Sequence, residues 1–452
     1  MFARRFKRFV SDQGMLLVLL LLCAYFSWRT WTEQQPAGET AARQLLAKIA
    51  SAGADHTVLV VAGDAESDRE FAMAFSKAAG AWTTIGTVTG SPADARAKLE
   101  ELNQARTRVD FIAASGNAAT WTVLDDLPAR FPALGNPTRL SPTTYHWPNF
   151  LKRDNLLNIA NQIAVIAIIA IGMTLVIITG GIDLSVGSLI ALSAVTTAWL
   201  IQHVAGATEA GVGAMLLCAL AGMGVCGVAG VFNGCMVAFF RIPPFIATLA
   251  MMLVASGVAF IIARGESIYQ LPASFVWLGR GADLFNLPNA VVLMALLYAG
   301  AHLLMNRTVP GRYIYAVGSN QQTARLCGLP IAKILVLVYA ISGALAGLGG
   351  VITASQLKSG APTYGQMYEL YVIAAAVVGG TSLQGGEGRI LGTLTGAFII
   401  AVIQNGMNLT GVESYTQKVV LGVVILLAVL LDQSKKGGGW SRLVPFTRQP
   451  EG

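Results

Sequence analysis

Charge is scarce in this chain of 452 residues: only 12% are charged. Ordinary soluble domains carry about 25%, so the composition argues against a cytosolic globular enzyme. Cysteine is scarce as well, with five in all. Cys23, Cys218, Cys226 and Cys235 sit in apolar runs, Cys327 sits in a basic loop, and no Cys-x-x-Cys pair occurs. That excludes a disulfide framework and a cysteine metal site. The four histidines, His56, His146, His203 and His302, are scattered, which reads as surface or interfacial histidine rather than a metal centre. No Gly-x4-Gly-Lys-Ser/Thr motif is present, so no nucleotide-hydrolysing loop of that type is expected. The apolar runs hold no clustered nucleophile or paired carboxylates, which speaks against a membrane-embedded enzyme.

What is abundant is apolar sequence, 54% of the chain. The charges that exist are unevenly placed. Thr32–Arg153 holds 12 basic and 13 acidic residues, the density of a soluble domain, and the remainder carries the whole positive excess. Two regimes in one chain imply a membrane protein with one sizeable soluble insertion. A crossing helix needs roughly 20 mainly apolar residues. Met15–Trp31, preceded by Arg4, Arg5, Lys7 and Arg8, is the first candidate. It lacks a small-x-small cleavage site, so it reads as a retained signal anchor that places the next block outside the cytoplasm. Nine further runs follow between Asn158 and Leu431.

Loop charge tests the count of ten. With the N-terminus inside, Arg241, Arg307, Arg312, Arg325, Lys333 and Arg389 fall on the inner side. The short outer loops hold Arg264, Arg280, Lys358 and Lys418. Together with both ends, the inner segments collect 14 basic against 4 acidic residues. This is the positive-inside signature of an even number of spans. The net charge of +7 is therefore a topology signal and not a nucleic-acid footprint. Glycine is abundant, and Gly230-x3-Gly234, Gly343-x3-Gly347 and Gly388-x3-Gly392-x3-Gly396 fall at helical spacing. Such stripes let backbones approach closely, within one bundle or across a dimer. The fold class is thus an all-α polytopic membrane protein of about ten transmembrane helices with an inserted extracytoplasmic α/β domain. The divisions are 1–31 as anchor, 32–153 as insertion, 154–431 as the transmembrane domain and 432–452 as a basic cytoplasmic tail.

Within the insertion, strands at Thr57–Gly63, Thr83–Thr89 and Val109–Ala114 alternate with helices at Gly38–Ala52, Asp68–Ala79, Pro92–Gln104 and Asn117 to about Leu127. Ser91 caps the third helix ahead of Pro92. The alternation predicts a small parallel α/β layer. It resembles part of one lobe of a periplasmic sugar-binding protein, too short for two lobes. Gly63-Asp64 and Ser115-Gly116-Asn117 follow strands at the edge where ligands bind, and read as ordinary turns. A docking domain, a structural appendage and a ligand sensor stay open for this block.

Three polar interruptions mark the spans. Gly180–Ser188 contains Asp183 and Ser185; the glycines break a helix, and both polar side chains can cap the next one. Acid at membrane depth is otherwise a functional-site signal, so capping and substrate contact both stand. Asn233 and Arg241-Ile242-Pro243-Pro244-Phe245-Ile246-Ala247-Thr248 form the second, a rigid corner from paired prolines. Gly379–Arg389 is the third, a tight re-entrant or cytoplasmic turn. Asn161, Asn233, Gln356 and Asn405 are inward-facing candidates for a translocation path. The loop Asn306–Lys333 carries a short helix over Gln321–Cys327, capped by Asn320 and ended by Gly328. Held outside the membrane, it would act as a lever.

At these residues the chain resembles the membrane permease subunits of bacterial monosaccharide ABC importers, the ribose, xylose and galactose type. The resemblance rests on Gly181–Ser188, Pro243–Leu249, Gly311-Arg312, Ala324–Gly328, Ile373–Ala375 through Gly379–Ser382, and Gly392-Thr393. It implies a permease paired with a second permease subunit in the bacterial inner membrane, in contact with lipid. It implies partner ATP-binding subunits that hold ATP and Mg, and delivery by a periplasmic sugar-binding protein. Asn320, Gln321, Ala324, Arg325, Leu326 and Gly328 would then form the ATPase-coupling loop. Asp183, Ser185, Asn233, Pro243, Pro244, Thr248 and Gln356 would belong to the translocation path or its helix break. The insertion, and Cys327 where relatives often have serine, depart from the pattern. A related solute such as an autoinducer sugar is the alternative cargo. A secondary transporter is the rival class, and would need intramembrane charge beyond Asp183 and Glu369.

Overall fold

The computed structural model describes residues 2–53, 55–78 and 82–436. Two compact units emerge: Met1–Thr30 with Phe150–Gly452, and Trp31–Asn149. The chain begins with α1 (Phe2–Arg29) and then builds the second unit. In order these elements are β1 (Trp31–Gln34), α2 (Gly38–Ala52), β2 (Thr57–Ala62), α3 (Glu66–Lys77), β3 (Thr83–Thr89), α4 (Pro92–Gln104), β4 (Phe111–Ala114), α5 (Leu127–Arg130), β5 (Thr138–Leu140) and β6 (Tyr145–Pro148).

The four inner strands form a parallel sheet in the order β3-β2-β4-β5. In β2, Val58, Val60 and Ala62 pack with Leu45, Ile49, Phe71 and Phe75 of α2 and α3. Leu59 and Val61 pack on the opposite face with Leu99, Ile112 and Leu134. A strand covered on both faces must be apolar throughout, which is why this segment has no alternation. α4 starts with a full capping box: Ser91 Oγ accepts from the Asp94 N–H, and Asp94 accepts from the Ser91 N–H at 2.8 Å. The expected helix from Asn117 to Leu127 does not form. Two 3₁₀ turns, Ala118–Thr120 and Thr122–Leu124, and the short α5 replace it. Thr120, Thr122 and Val123 disfavour helix through their branched side chains, and Asp126 takes a left-handed φ of 49° that breaks the run.

β1 and β6 pair antiparallel, from Trp31 opposite Pro148 to Gln34 opposite Tyr145. The unit therefore begins and ends on neighbouring strands. Between β2 and β4, the Thr57 N–H and hydroxyl both donate to Asp110 Oδ2 at 2.9 Å. These bonds hold the Asp110 carboxyl below its usual range. Its contribution is complete above the ordinary carboxylate pKa and is lost as pH falls through the depressed native value. Asp110→Asn is expected to loosen this unit by about 1 kcal/mol at neutral pH. The gap to the unsubstituted chain should close on acidification. Hydrogen exchange of the β2 amides across a pH series reads both.

The first unit continues from α1 with α6 (Arg153–Ile178), α7 (Val186–His203), α8 (Val212–Ala238), α9 (Pro244–Ala263), α10 (Trp277–Arg280), α11 (Asn289–Arg307), α12 (Val309–Ser319), α13 (Gln321–Leu326), α14 (Ile331–Leu357), α15 (Tyr368–Val378), α16 (Ile390–Leu409) and α17 (Ser414–Lys436). Among the described residues seven helices, α6, α7, α8, α9, α11, α14 and α16, are long and apolar enough to cross a membrane. Gly14–Arg29, α15 and Ser414–Leu427 are shorter apolar helical stretches. The expected tail 432–452 lies outside the described residues beyond Lys436.

Burial sorts the helices. Every residue of α6 from Ile163 to Ile178 is buried, so this helix is the centre of the bundle. α14 packs against α8, α7 and α6. α8, α9 and α11 turn large apolar side chains outward, including Leu217, Leu253, Ile261 and Leu296. An apolar exterior of this kind suits lipid and not water. The glycine stripes are used inside the chain. A Cβ at Gly234 would stand 2.6 Å from Val336 Cα, and one at Gly347 would stand 2.9 Å from Met223 Cα. One at Gly396 would stand 2.7 Å from the Gly379 nitrogen. Backbone cannot yield as a side-chain tip can. Gly234→Leu is therefore expected to separate α8 from α14 at a cost of about 3 kcal/mol. A fall in the detergent-solubilised melting temperature checks this.

Candidate functional site

α6 ends at Ile178 and α7 starts at Val186, leaving Thr179–Ser185 as a break inside the bundle. Gly180 adopts φ +82°, a backbone that a side chain would strain. Asp183 is fully buried in the break. Its Oδ1 accepts from the Ser185 N–H at 3.0 Å and the Ser185 hydroxyl at 2.6 Å. Its Oδ2 accepts from the Ser342 hydroxyl of α14 at 2.8 Å. Ser185 Oγ in turn accepts from Asn233 Nδ2 of α8 at 3.2 Å. The Thr248 hydroxyl of α9 lies 3.2 Å from the Ile182 carbonyl and 3.0 Å from the Pro244 carbonyl. The break is thereby tied to three other helices. Neither side chain caps an N–H within α7: Asp183 accepts from the N–H of Ser185, the residue before the helix, and the Ser185 hydroxyl links Asp183 to Asn233.

Two buried polar atoms in this region, Asn233 Oδ1 and the Tyr339 hydroxyl, have no hydrogen-bond partner. Tyr339 also borders a cavity of about 690 Å³ at one end of the bundle. Thr179–Gly181, Arg241–Pro244, Gln321, Arg325, Leu329–Lys333 and Leu335 line it further. Pro243 and Pro244 form one rim, as the corner that starts α9. The lining includes Arg241 from the α8–α9 corner, Arg325 of α13 and Lys333 at the start of α14, and no carboxylate.

The short helix α13 lies beside this cavity. Asn320 Oδ1 accepts from the Thr323 N–H at 2.9 Å. Gly328, at φ +74°, turns the chain out of the helix. Ala324 is buried, whereas Gln321 and Arg325 are exposed and Leu326 is 89% exposed. A short rigid helix thus carries an apolar side chain into the open. The segment before it is not loop, as expected, but the helix α12. Thr308 Oγ1 accepts from the Gly311 N–H, and Pro310 occupies the first turn. α12 ends against α6: Gly318 presses on the Ile178 carbonyl, which also accepts from the Gly386 N–H at 2.8 Å. Tyr315 donates to the Gly388 carbonyl at 2.8 Å. The turn Gly379–Arg389 thus joins α12 to the end of α6, immediately before the break.

The remaining path candidates are placed elsewhere. Asn405 and Asn155 exchange two amide hydrogen bonds at 3.1 and 2.9 Å, a clamp between α16 and α6. Gln356 sits 14 residues beyond Ser342 on α14, roughly 21 Å away along the axis. Its carbonyl accepts from Arg280. Asn161 Oδ1 is buried without a partner on α6. Sequence reading missed Ser342 and Tyr339, which are hidden in an apolar run. Their i, i+3 spacing beside Gly343 is the signal that marks one inward helix face.

The family described as the branched-chain amino acid transport system / permease component matches residues 155–429. The chain belongs to this permease family. The ribose import permease protein RbsC of Escherichia coli K12 is 45% identical over 293 residues, covering 64% of this chain and 88% of that protein. RbsC of Bacillus subtilis 168 is 43% identical over 290 residues, covering 64% and 87%. The D-allose transport system permease protein AlsC of E. coli K12 is 36% identical over 284 residues, covering 63% and 85%. No solved structure matches the chain. The break, the cavity lining and α13 all fall within the matched span of the permease, and residues 31–149 fall outside it.

Proposed function

We propose that this chain is the permease subunit of an ATP-driven importer for a monosaccharide in the bacterial inner membrane. Membership of the permease family, with ribose and allose permeases among the similar proteins, carries the reading. A related small solute such as an autoinducer sugar is the alternative cargo. The seven long helices together with α1, α15 and α17 supply ten spans. Arg241, Arg325 and Lys333 gather at one cavity, so the α8–α9 corner, α13 and the start of α14 share one end of the bundle. By the positive-inside rule that end is cytoplasmic, with both termini, and residues 31–149 are extracytoplasmic.

The mechanism follows from the geometry. ATP and Mg belong to partner ATP-binding subunits, which dock on Asn320–Gly328 with Leu326 and Arg325 as the leading contacts. Motion of α13 passes through α12 to Gly318 and the end of α6. The break at Gly180–Ser185 then reorients against α8, α9 and α14. Asp183, Ser185, Ser342 and Asn233 keep the break in register. Such a switch imports only if the two states bind sugar differently, with a periplasmic binding protein supplying sugar on the outer face. A second permease subunit completes the path.

Proteoliposomes containing this chain, its ATPase and its binding protein are expected to accumulate labelled D-ribose only with ATP inside the ATPase compartment. Equal uptake without the ATPase would overturn the reading.

A further inference from the structure

One end of the bundle concentrates positive charge that moving a neutral sugar does not use. The cavity of about 690 Å³ beside α13 draws Arg241, Arg325 and Lys333 from three places in the chain. All three are exposed, and among the described residues none forms an ion pair. Two long helices also begin there. Pro244 opens α9 and Ile331–Lys333 open α14 on the lining, and neither helix has a side-chain cap at its start. The Ala332 and Lys333 N–H groups have no acceptor among the described residues. Helix starts carry partial positive charge, which adds to that of the three cations. Tyr339 brings a buried hydroxyl without a partner. Asp183 is not on the lining, and its oxygens accept from Ser185 and Ser342.

This lining calls for an anion, and phosphate is the group that both helix starts and guanidinium suit. The surroundings decide what carries the phosphate. Phe239 lines the cavity and is 63% exposed. Phe240, Phe245 and Leu253 continue around the α8–α9 corner and along α9 as large exposed apolar side chains. Such a surface suits acyl chains, and a soluble phosphate would leave it bare. Basic pockets between transmembrane helices on the cytoplasmic side seat acidic headgroups. We propose that this cavity binds the headgroup of an acidic phospholipid of the inner leaflet. Arg241, Lys333 and the start of α14 hold its phosphate, and its acyl chains lie on the exposed apolar face of α9. A lipid seated there bridges the α8–α9 corner, α13 and α14, and so restrains the motion of α13. The inference takes from the permease reading only the membrane and its inner side; it involves neither sugar nor ATPase.

The test offers the full chain, in neutral detergent, equal amounts of phosphatidylglycerol and phosphatidylcholine, and native mass spectrometry counts the lipid that stays bound. Phosphatidylcholine carries the same phosphate with a cancelling ammonium, so phosphatidylglycerol should be retained about tenfold or more in excess. Arg241→Gln and Lys333→Gln should each cut that preference about fivefold, the effect of one cation near a headgroup. Both side chains are exposed, and if one variant fails to fold the other decides. Arg325 serves the docking face of α13 and stays unchanged. Arg264→Gln, at the far end of α9, should leave the preference intact. Equal retention of the two lipids overturns the proposal, as does a preference that survives both cavity variants or falls equally with Arg264→Gln. Inorganic phosphate at millimolar concentration should leave the lipid in place; displacement assigns the cavity to a soluble anion and overturns the lipid. Because the measurement uses no sugar or ATPase, failed uptake with an intact lipid preference counts against the permease reading only.

Discussion

Asp183→Ala is expected to reduce uptake to background and to lower the melting temperature of the solubilised chain. Among the described residues the carboxylate is the sole acceptor for the Ser185 N–H and for the Ser342 hydroxyl, and it anchors the Ser185 hydroxyl as well. All three donors are buried. Leaving one buried donor unpaired costs about 1–3 kcal/mol, and water cannot easily replace a carboxylate in a packed interior. The link from the break to α14 disappears, and the link through Ser185 to Asn233 loses its anchor. Asp183→Asn keeps one acceptor oxygen but turns an amide donor toward a hydroxyl, so an intermediate loss is expected. Paired uptake and thermal-unfolding measurements decide the matter. An alanine variant with ordinary uptake would show that the polar tie is dispensable.

Leu326→Asp and Arg325→Glu should each reduce ATP-dependent uptake about a hundredfold, the effect of removing an interface anchor worth about 2.7 kcal/mol. Both side chains are exposed, so their replacement disturbs no internal packing. The amount of chain in the membrane should be unchanged. Deleting Gln321–Cys327 should be at least as severe. Ala324→Leu should behave differently, because Ala324 is buried and a larger side chain would strain α13 itself. Uptake and membrane abundance, measured together for the set, separate docking from folding. Ordinary coupling in the deletion would remove α13 from the mechanism.

Much of this was legible from the sequence because the relevant signals are local. Asn320 and Gly328 bracket α13 by capping chemistry that acts within four residues. The double proline fixes the corner before α9 through its own rings. The glycine stripes announced close packing, although only the structure shows α14 and α15 as the partners. What stayed hidden depends on distant residues. Ser342 and Tyr339 acquire meaning only when α14 crosses the break, 159 residues after Asp183 in the case of Ser342. Asn405 was legible as an inward-facing amide, but its partner Asn155 is 250 residues away. α12 falls inside the segment Asn306–Lys333 that the sequence presents as a loop, and it contains Pro310 and Gly311. At the first turn of a helix both are tolerated, and Thr308 supplies the cap.

The ribbon of β1 and β6 has a consequence for how the chain folds. Docking α1 on α16 requires closure across the 119 residues from Trp31 to Asn149. For a flexible loop of that length the entropic cost is about 4 kcal/mol. Once β1 and β6 zip together, Trp31 lies opposite Pro148 and that cost has already been met within the unit. Thr30 and Phe150 then emerge side by side, joined by a 3.1 Å hydrogen bond from the Phe150 N–H to Thr30 Oγ1. For the bundle, the insertion behaves as a hairpin of almost no length. The order of events should follow: with the ribbon intact, α1 reaches its seat as quickly as it would on a chain from which those residues had been excised.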